Sequence, residues 1–160
     1  MFTNEQYTCL VKKHIDMVYR IALNYLKNKA DAEDICQTVF LKLLTEKTDF
    51  QNDNHLRNWL VRVTVNECKK MLRSPWYRRE SLEDHMPVTV FSDPHCSDVY
   101  DAVMALPVHY RVPLYLHYYE GYSTDEIGRI LSLPGATVRT RLRRARQILQ
   151  KELEEALDNV

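Results

Sequence analysis

Apolar residues recur at intervals of three and four along most of the chain, and this spacing limits the fold more than any other feature of the sequence. Such spacing places side chains on one face of an α-helix, where they can pack against a core. The first such helix is predicted from Leu10 to Leu26. Its predicted buried face contains Leu10, Ile15, Val18, Tyr19, Ala22, Tyr25 and Leu26.

Two more helices are predicted in the amino-terminal half. The stretch ADAEDICQTVFLKLLTE begins with acids, which the helix dipole favours in a first turn. The segment TDFQNDNH then interrupts the spacing with the Asn and Asp content of a turn, and a third helix runs from about Leu56 to Leu72. The predicted buried positions of these helices are Ala32, Ile35, Val39, Phe40, Leu43, Leu44, Leu56, Trp59, Leu60, Val63 and Met71. Residues 1–75 are therefore predicted to form one helical domain.

The helical spacing stops in WYRRESLEDHMPVTVFSDPHC, which begins at Trp76. Pro87 and Pro94 are expected to interrupt any helix there, and Val88–Phe91 has the β-propensity of a short extended segment. Residues 76–97 are predicted to be a flexible linker, and residues 98–160 a second helical domain. The sequence thus predicts an all-α fold of two small helical domains.

The formal net charge of zero hides an uneven distribution of charged residues. Residues 1–75 carry 12 Lys and Arg against 9 Asp and Glu, residues 76–97 carry 2 against 4, and residues 98–160 carry 8 against 9. No acid lies between Glu126 and Glu152, whereas five arginines lie between Arg139 and Arg146 alone. A basic stripe on a neutral chain indicates local contact with an anion rather than general attraction to nucleic acid.

The composition argues against several classes of function. The three glycines form neither a GxGxxG nor a GxxxxGK phosphate loop. The four cysteines form no CxxC pair and have no histidine at zinc-site spacing, so we expect reduced thiols, no metal and no cofactor. Because no nucleophile, base or metal set can be assembled, the chain is not predicted to be an enzyme. With no signal peptide and no apolar run of about 18 residues, a cytoplasmic protein without membrane insertion is expected.

The arginines are explained by the helix that carries them and by the helix before it. Ser123 and Glu126 form an S-x-x-E capping box, and the connection Ser132–Pro134 is short, with its proline placed to open the next helix. Gly128 suits a close approach of the two helices. This pattern predicts a helix-turn-helix, whose second helix can enter the major groove of DNA. Its predicted buried positions are Ile127, Ile130, Leu131, Val138, Leu142, Ala145, Leu149 and Leu153.

The arginine side chains are therefore predicted to project from the other faces of the second helix. Arginines on a helix usually form no more than a solvated surface, but the capped helix, the short turn and the lack of intervening acids favour DNA binding. The side chains expected at base edges or nearby phosphates are Arg139, Thr140, Arg143 and Arg144. Arg141 and Arg146 are expected to hold phosphates or to pair with acids.

Three stretches resemble the extracytoplasmic-function group of bacterial RNA polymerase sigma factors, in the sigma-70 family. ALPVHYRVPLYLHYYEGYSTDEIGRILSLPGATVRTRLRRARQIL resembles sigma region 4, YRIALNYLKNKADAEDICQTVFLKLL resembles regions 2.1 and 2.2, and LRNWLVRVTVNECKKMLR resembles regions 2.3 and 2.4. Gly128 and Ala136 depart from the family, which often has Ala and Gly there. The resemblance implies a region 2 helical bundle in residues 1–75 and a region 4 helix-turn-helix in residues 98–160.

The resemblance also implies a transcription initiation factor that binds core RNA polymerase and directs it to promoter DNA. Region 4 would read the −35 element through Thr137, Arg139, Thr140, Arg143 and Arg144. Region 2 would read the −10 element and receive an unstacked base, using Phe50, Gln51, Asn52, Arg62, Asn66, Lys69 and Lys70. Trp59 would pack in the core rather than stack on DNA. The polymerase clamp helices would contact Asp34, Gln37 and Leu41, and the first helices of region 4 would hold the polymerase flap.

Some alternatives stay open at the level of the sequence. A helix-turn-helix regulator that acts without being a polymerase subunit is the alternative function, and the resemblance suggests an anti-sigma factor as a further partner. The acids of the linker fit either a segment inside the polymerase or a solvated tether. These acids are Glu80, Glu83, Asp84 and Asp93. Pro113 is expected to kink or break its helix, because it denies His109 a helical hydrogen bond.

Overall fold

The structure of the protein is a computed structural model, which describes residues 2–75 and 94–158. All regular secondary structure in these two ranges is helical, which confirms the predicted all-α class. The chain divides into two compact units, Met1–Met86 and Pro87–Val160. The four predicted linker acids and the predicted extended segment lie outside the described residues.

The first unit contains three helices, α1 (Asn4–Leu26), α2 (Lys29–Thr45) and α3 (Asp53–Arg73). Helix α1 packs against both α2 and α3, which also contact each other. The shared core consists of Val18, Ile21, Ala22, Leu26, Ala32, Ile35, Val39, Leu43, Leu56, Leu60, Val61, Val65 and Cys68. The three helices therefore form a bundle around one core, as predicted.

Helix α1 begins six residues before the predicted position. Thr3 is its N-cap and forms a capping box with Gln6, in which each side chain bonds the other residue's backbone N–H. Two predicted core residues are instead exposed, Ile15 at 38% and Leu44 at 50%. Trp59 and Val63, also predicted to be buried, are half-buried. The buried face of α3 passes instead through Leu60, Val61, Thr64 and Val65.

The second unit contains four helices, α4 (Pro94–Ala105), α5 (Val108–Tyr118), α6 (Thr124–Leu131) and α7 (Gly135–Asp158). Helix α7 packs against the other three, and its core positions Val138, Leu142 and Ala145 are buried. The start of α4 at Pro94 corrects the prediction that this proline interrupts any helix and belongs to a linker ending at residue 97. A proline is tolerated in the first turn of a helix, because the first N–H groups have no intrahelical partner.

Helix α5 runs without a break through Pro113, so the predicted break is wrong. Pro113 is buried and has no N–H, so α5 lacks one of its internal hydrogen bonds. Packing of α5 against α6 and α7 stabilises the helix despite this loss. Arg111, in the same helix, is buried, and its Nη1 donates a 2.7 Å hydrogen bond to the carbonyl of Leu106, just beyond the end of α4. A guanidinium at a helix C-terminus satisfies carbonyls that the helix leaves unpaired and complements the helix dipole.

The thiols of the first unit agree with the prediction of reduced cysteines. Cys9, Cys36 and Cys68 form no disulfide, and the last two are buried. Burial raises the pKa of the Cys36 thiol to about 11, with a smaller contribution from Glu33, and burial likewise raises the pKa of Cys68. Thiols with raised pKa values are poor nucleophiles at neutral pH, so these two side chains contribute packing rather than chemistry.

His14 makes the stability of the first unit dependent on pH. Its side chain is buried in α1, and its Nε2 has no hydrogen-bond partner among the described residues. Burial lowers the pKa of His14 below its ordinary value of 6.5; Lys13 and Arg57 lower it further, and Asp53 opposes them. The unfolded chain therefore takes up this proton at a higher pH than the folded chain, and stability falls as the pH falls below 6.5.

We expect the His14→Leu variant to lose much of this pH dependence. The measurement is thermal unfolding of the Trp76→Phe chain between pH 7.5 and 5, followed through the fluorescence of Trp59. The wild-type midpoint should fall with pH more steeply than that of the variant. His109→Gln removes an exposed histidine from the second unit and should leave the wild-type slope intact. Parallel slopes for His14→Leu and the wild type would contradict the assignment.

Candidate nucleic-acid interface

The helix-turn-helix of the second unit forms as predicted. The Ser123 hydroxyl accepts from the N–H of Glu126 at 3.2 Å, and the Glu126 carboxylate accepts from the N–H of Ser123 at 3.1 Å. These bonds satisfy two of the N–H groups that open α6. The helix ends at Leu131, and its C-cap Ser132 has a left-handed backbone conformation with φ of 58°. Pro134 accepts a hydrogen bond from the N–H of Val138, so it caps α7 rather than occupying its first position.

Gly128 allows α6 and the following turn to approach each other closely. A Cβ added at this buried position would lie 2.6 Å from the carbonyl oxygen of Leu133 and 3.5 Å from the N–H nitrogen of Gly135. The N–H of Leu133 donates to the Gly128 carbonyl at 2.8 Å, which fixes the turn against the helix. The absence of a side chain at residue 128 therefore sets the distance between the two helices.

Helix α7 separates a buried face from a basic face. Arg139, Arg143, Arg144 and Arg146 are exposed, whereas Arg141 is half-buried. Thr137 and Thr140 are also half-buried, and the Thr140 hydroxyl donates to the carbonyl of Ala136 at 3.0 Å. The five residues predicted to read the −35 element therefore lie on adjoining turns of one helix, away from its core positions. Leu149 and Leu153, predicted to be buried, are half-buried, because α7 extends past the helices that cover it.

Two arginines of α7 contact residues that sequence reasoning did not identify. Arg139 Nη1 lies 3.7 Å from Asp125 Oδ1, and Arg146 Nη1 donates a 2.7 Å hydrogen bond to the Tyr118 hydroxyl. Arg146 was expected to hold phosphate or to pair with an acid, and its partner in the structure is a tyrosine. Neither contact has a sequence signal, because each joins α7 to a separate helix.

A depression of about 440 Å³ lies between the first turn of α5 and the first three turns of α7. Its lining combines cationic, hydroxyl and aromatic side chains and contains no carboxylate. The lining residues are His109, Tyr110, Ala136, Thr137, Thr140, Arg141 and Arg144. Such a lining suits an anion, and it widens the basic surface of α7 on the side facing α5.

In the first unit, Phe50 is the centre of an aromatic cluster before α3. Its ring stacks on Phe2 at a centroid distance of 6.3 Å and meets the edges of His55 at 5.3 Å and Trp59 at 5.7 Å. Trp59 was predicted to pack in the core. In the structure it instead joins a half-exposed aromatic cluster. Aromatic faces of this kind are where unpaired bases stack in proteins that bind single strands.

The loop between α2 and α3 is held in a defined conformation. The Glu46 carboxylate accepts hydrogen bonds from Lys47 and Thr48, and those from Thr48 are the main cause of its lowered pKa. Asn52 caps α3 by accepting from the N–H of His55 at 2.8 Å, and the N–H of Gln51 donates to the His55 ring at 3.3 Å. The side-chain oxygen of Asn52 is thus used for capping.

The remaining residues predicted to read the −10 element lie along one side of α3. Arg62, Asn66 and Lys70 are spaced by four and exposed, and Lys69 beside them is half-buried. Residues four apart lie one above the other on a helix. They form a polar stripe that carries three positive charges and leads away from the Phe50 cluster, since Trp59 precedes it by less than one turn.

The exposed side of α2 carries the residues predicted to contact polymerase. Asp34, Gln37 and Leu41 are all exposed, and Leu41 is 62% exposed. Leu44, which was predicted to be buried, lies one turn further along the same side. Leu41 and Leu44 therefore add exposed apolar surface beside the polar side chains of Asp34 and Gln37.

No group of three or more His, Cys, Asp or Glu side chains within residues 2–75 and 94–158 could hold a metal ion. Within the same ranges, no helix is long and apolar enough to cross a membrane.

Comparison with known proteins gives matches along most of the chain. The family model described as Sigma-70 region 2 matches residues 10–78, and that described as Sigma-70, region 4 matches residues 97–149. The ECF RNA polymerase sigma factor SigE of Mycolicibacterium smegmatis is 33% identical over 90% of this chain, which spans 60% of that relative's length. The RNA polymerase sigma factor HrpL of Pseudomonas syringae is 30% identical, and the match covers 91% of this chain and 85% of HrpL.

Solved structures share the fold. The sigma factor RpoE of Bartonella quintana, in complex with the anti-sigma factor NepR, aligns with a TM-score of 0.72 at 19% identity, covering 92% of this chain and 96% of RpoE.

Proposed function

The chain belongs to the extracytoplasmic-function sigma factors of the sigma-70 family, and from this membership we propose that it binds core RNA polymerase and directs it to a two-element promoter. Members of this family are transcription initiation factors and not enzymes. The site of action proposed for the chain is the cytoplasm, where bacterial polymerase transcribes. The observation that carries the proposal is the basic face of α7, presented by a capped helix-turn-helix.

We assign reading of the −35 element to the first half of α7. The N-terminal residues of a recognition helix contact base edges, so Thr137, Arg139 and Thr140 would lie deepest in the groove, with Arg143 and Arg144 a turn further on. Arginine can bond both acceptors of a guanine at once. Arg141, in the depression beside α5, would hold the phosphates at the border of the groove.

We assign reading of the −10 element to α3 and the loop before it. A base that leaves the duplex would stack on the Phe50 cluster and meet the side chain of Gln51 and the NH₂ of Asn52. The stripe of Arg62, Asn66, Lys69 and Lys70 would follow the strand that carries this base. Because Glu46 and the Asn52 cap already fix the loop, the pocket would be ordered before DNA arrives, which lowers the entropic cost of binding.

We assign docking on the polymerase clamp helices to the exposed side of α2. Asp34 and Gln37 supply polar contacts, and Leu41 and Leu44 supply apolar surface that is left uncovered in the free chain. The first helices of the second unit, α4 and α5, would hold the flap. An anti-sigma factor is a further proposed partner, since RpoE of Bartonella quintana was solved with one. Such an inhibitor would act by covering the polymerase-binding surfaces.

Transcription with purified core polymerase tests the proposed function directly. Fragmented genomic DNA from the source organism is transcribed with and without the protein, and the transcript starts are sequenced. New starts that share upstream elements at two fixed spacings are the expected result. A chain that binds DNA but neither binds polymerase nor creates new starts would instead be a regulator of the helix-turn-helix type.

Replacing Arg143 with alanine is expected to weaken discrimination of the −35 element. Arg143 is exposed on the face of α7 opposite its core, and loss of a two-bond arginine–guanine contact costs about 1–3 kcal/mol of discrimination. Promoter use by the reconstituted holoenzyme should fall by about 5- to 150-fold, with polymerase affinity unchanged. Lys151→Ala removes a positive charge about two turns away on the same helix and should preserve discrimination. Equal promoter use by Arg143→Ala and the wild type would remove Arg143 from the site.

A further inference from the structure

The first turn of α6 places an acid beside the start of the recognition helix. Asp125 Oδ1 lies 3.7 Å from Arg139 Nη1. A Cβ added to Gly135 would lie 2.6 Å from the same carboxylate oxygen and 3.3 Å from Arg139 Nη1. The carboxylate and the guanidinium therefore meet over the first residue of α7, and the missing side chain of Gly135 makes room for both.

The direction of Arg139 follows from helix geometry. Side chains on an α-helix lean toward its N-terminus, and residues four apart lie on the same face. Arg139 therefore extends back over Gly135, toward the end of α7 that would enter the major groove. Asp125 holds the arginine at the point where base edges would be read.

The contact contributes little to stability, because both side chains are mostly exposed, at 59% for Arg139 and 75% for Asp125. Its larger effect concerns DNA. A carboxylate at this position repels phosphates, and it competes with them for the guanidinium.

We propose that Asp125 determines specificity by positioning Arg139. A guanidinium has five donors in a planar fork, so a carboxylate at Nη1 leaves the edge formed by Nη2 and Nε available for the two acceptors of a guanine. When that base is absent, Arg139 stays with Asp125 instead of turning to a phosphate, and the acid opposes binding. This inference rests on the proposed reading of the −35 element by α7.

The first experiment compares two substitutions that remove the same charge. Asp125→Asn removes a negative charge beside Arg139. Asp158→Asn removes a negative charge at the other end of α7, where the backbone lies roughly 28 Å from that of Arg139 at about 1.5 Å per residue. That separation exceeds the Debye length, which is about 10 Å at 0.1 M salt. The affinity of the full chain for a duplex carrying the −35 element and for a shuffled duplex of equal length is measured by fluorescence anisotropy over a range of salt concentrations.

Asp125→Asn is expected to bind the shuffled duplex about 5- to 10-fold more tightly, with a smaller gain on the −35 duplex, so that the ratio of affinities falls. If Arg139 gains a phosphate contact, the salt dependence on the shuffled duplex should steepen by about 0.9 in the log–log slope. Asp158→Asn should match the wild type in both respects. Equal changes in the two variants would overturn the proposal.

A second pair of variants separates positioning from charge. In an Arg139→Ala background, Asp125→Asn should no longer change the ratio of affinities, because its effect acts through that arginine. Gly135→Ala alters no charge but displaces the flexible ends of Asp125 and Arg139, so it should also lower the ratio. An undiminished effect of Asp125→Asn without Arg139 would refute positioning.

Failure of the proposed function gives a different result. In that case the wild type would not prefer the −35 duplex at all. The affinities of Asp125→Asn and Asp158→Asn for the shuffled duplex could still be compared, with Arg139 present and with Arg139 replaced by alanine. That comparison would decide whether Asp125 restrains Arg139 on DNA.

Discussion

Valine in place of Gly128 is expected to destabilise the helix-turn-helix strongly while leaving the stability of the first unit unchanged. Even a Cβ would lie 2.6 Å from the carbonyl oxygen of Leu133, which is backbone and is held by the turn. Valine adds two further methyl groups, and its branched side chain has few rotamers with which to avoid the contact. Overpacking of this kind costs about 3 kcal/mol, a large part of the stability of a small domain.

Hydrogen exchange of α6 and α7 amides measures this effect. A loss of about 3 kcal/mol should speed their exchange on the order of 100-fold, with exchange in α1 to α3 unchanged. Gly121→Asn is the matched control: it replaces a glycine of the same unit that has open space around it. Its φ of 78° strains any side chain, but asparagine enters this region more readily than most residues, so the variant should cost clearly less than Gly128→Val. Wild-type exchange rates in Gly128→Val would show that the turn can move aside.

The helix-turn-helix was predictable because its signals are local. The capping box of Ser123 and Glu126 joins residues three apart, and the apolar spacing of α7 lies within one helix. The Thr3–Gln6 capping box of α1 is a local signal of the same kind, and it marks the start of that helix in the sequence. Pro94 was misread because a proline can end a helix or open one, and the residues around it decide between these roles.

Contacts between helices were not predictable in this way. Periodicity located the helices of the first unit, but it could not tell that Ile15 and Leu44 lie at the edges of their apolar faces, beyond the reach of the neighbouring helices. The same limit applies to Trp59, whose contact with Phe50 depends on how the preceding loop folds back on α3. At the proposed DNA surface, the arginines were visible in the sequence, but the contact of Arg139 with Asp125 requires the fold.

Lysine in place of Leu41 is expected to abolish most of the affinity for core polymerase. Leu41 is 62% exposed on α2 and contributes little to the folded state, so the substitution should change stability by no more than about 0.5 kcal/mol. On docking, a buried leucine contributes about 1.5–3 kcal/mol. Lysine loses this contribution and adds the cost of burying an ammonium group. We therefore expect the affinity for core polymerase to fall by roughly 10- to 100-fold or more.

Titration of the labelled full chain with core polymerase, followed by anisotropy, measures this loss. Leu157→Lys makes the same change on a leucine that is 75% exposed at the end of α7, outside the proposed docking surface, and should bind polymerase as the wild type does. Because the variant should keep its fold, unaltered hydrogen exchange in α2 would separate lost docking from lost structure. If Leu41→Lys binds polymerase with wild-type affinity, Leu41 does not belong to the docking surface, and the assignment of that surface to the exposed side of α2 is wrong.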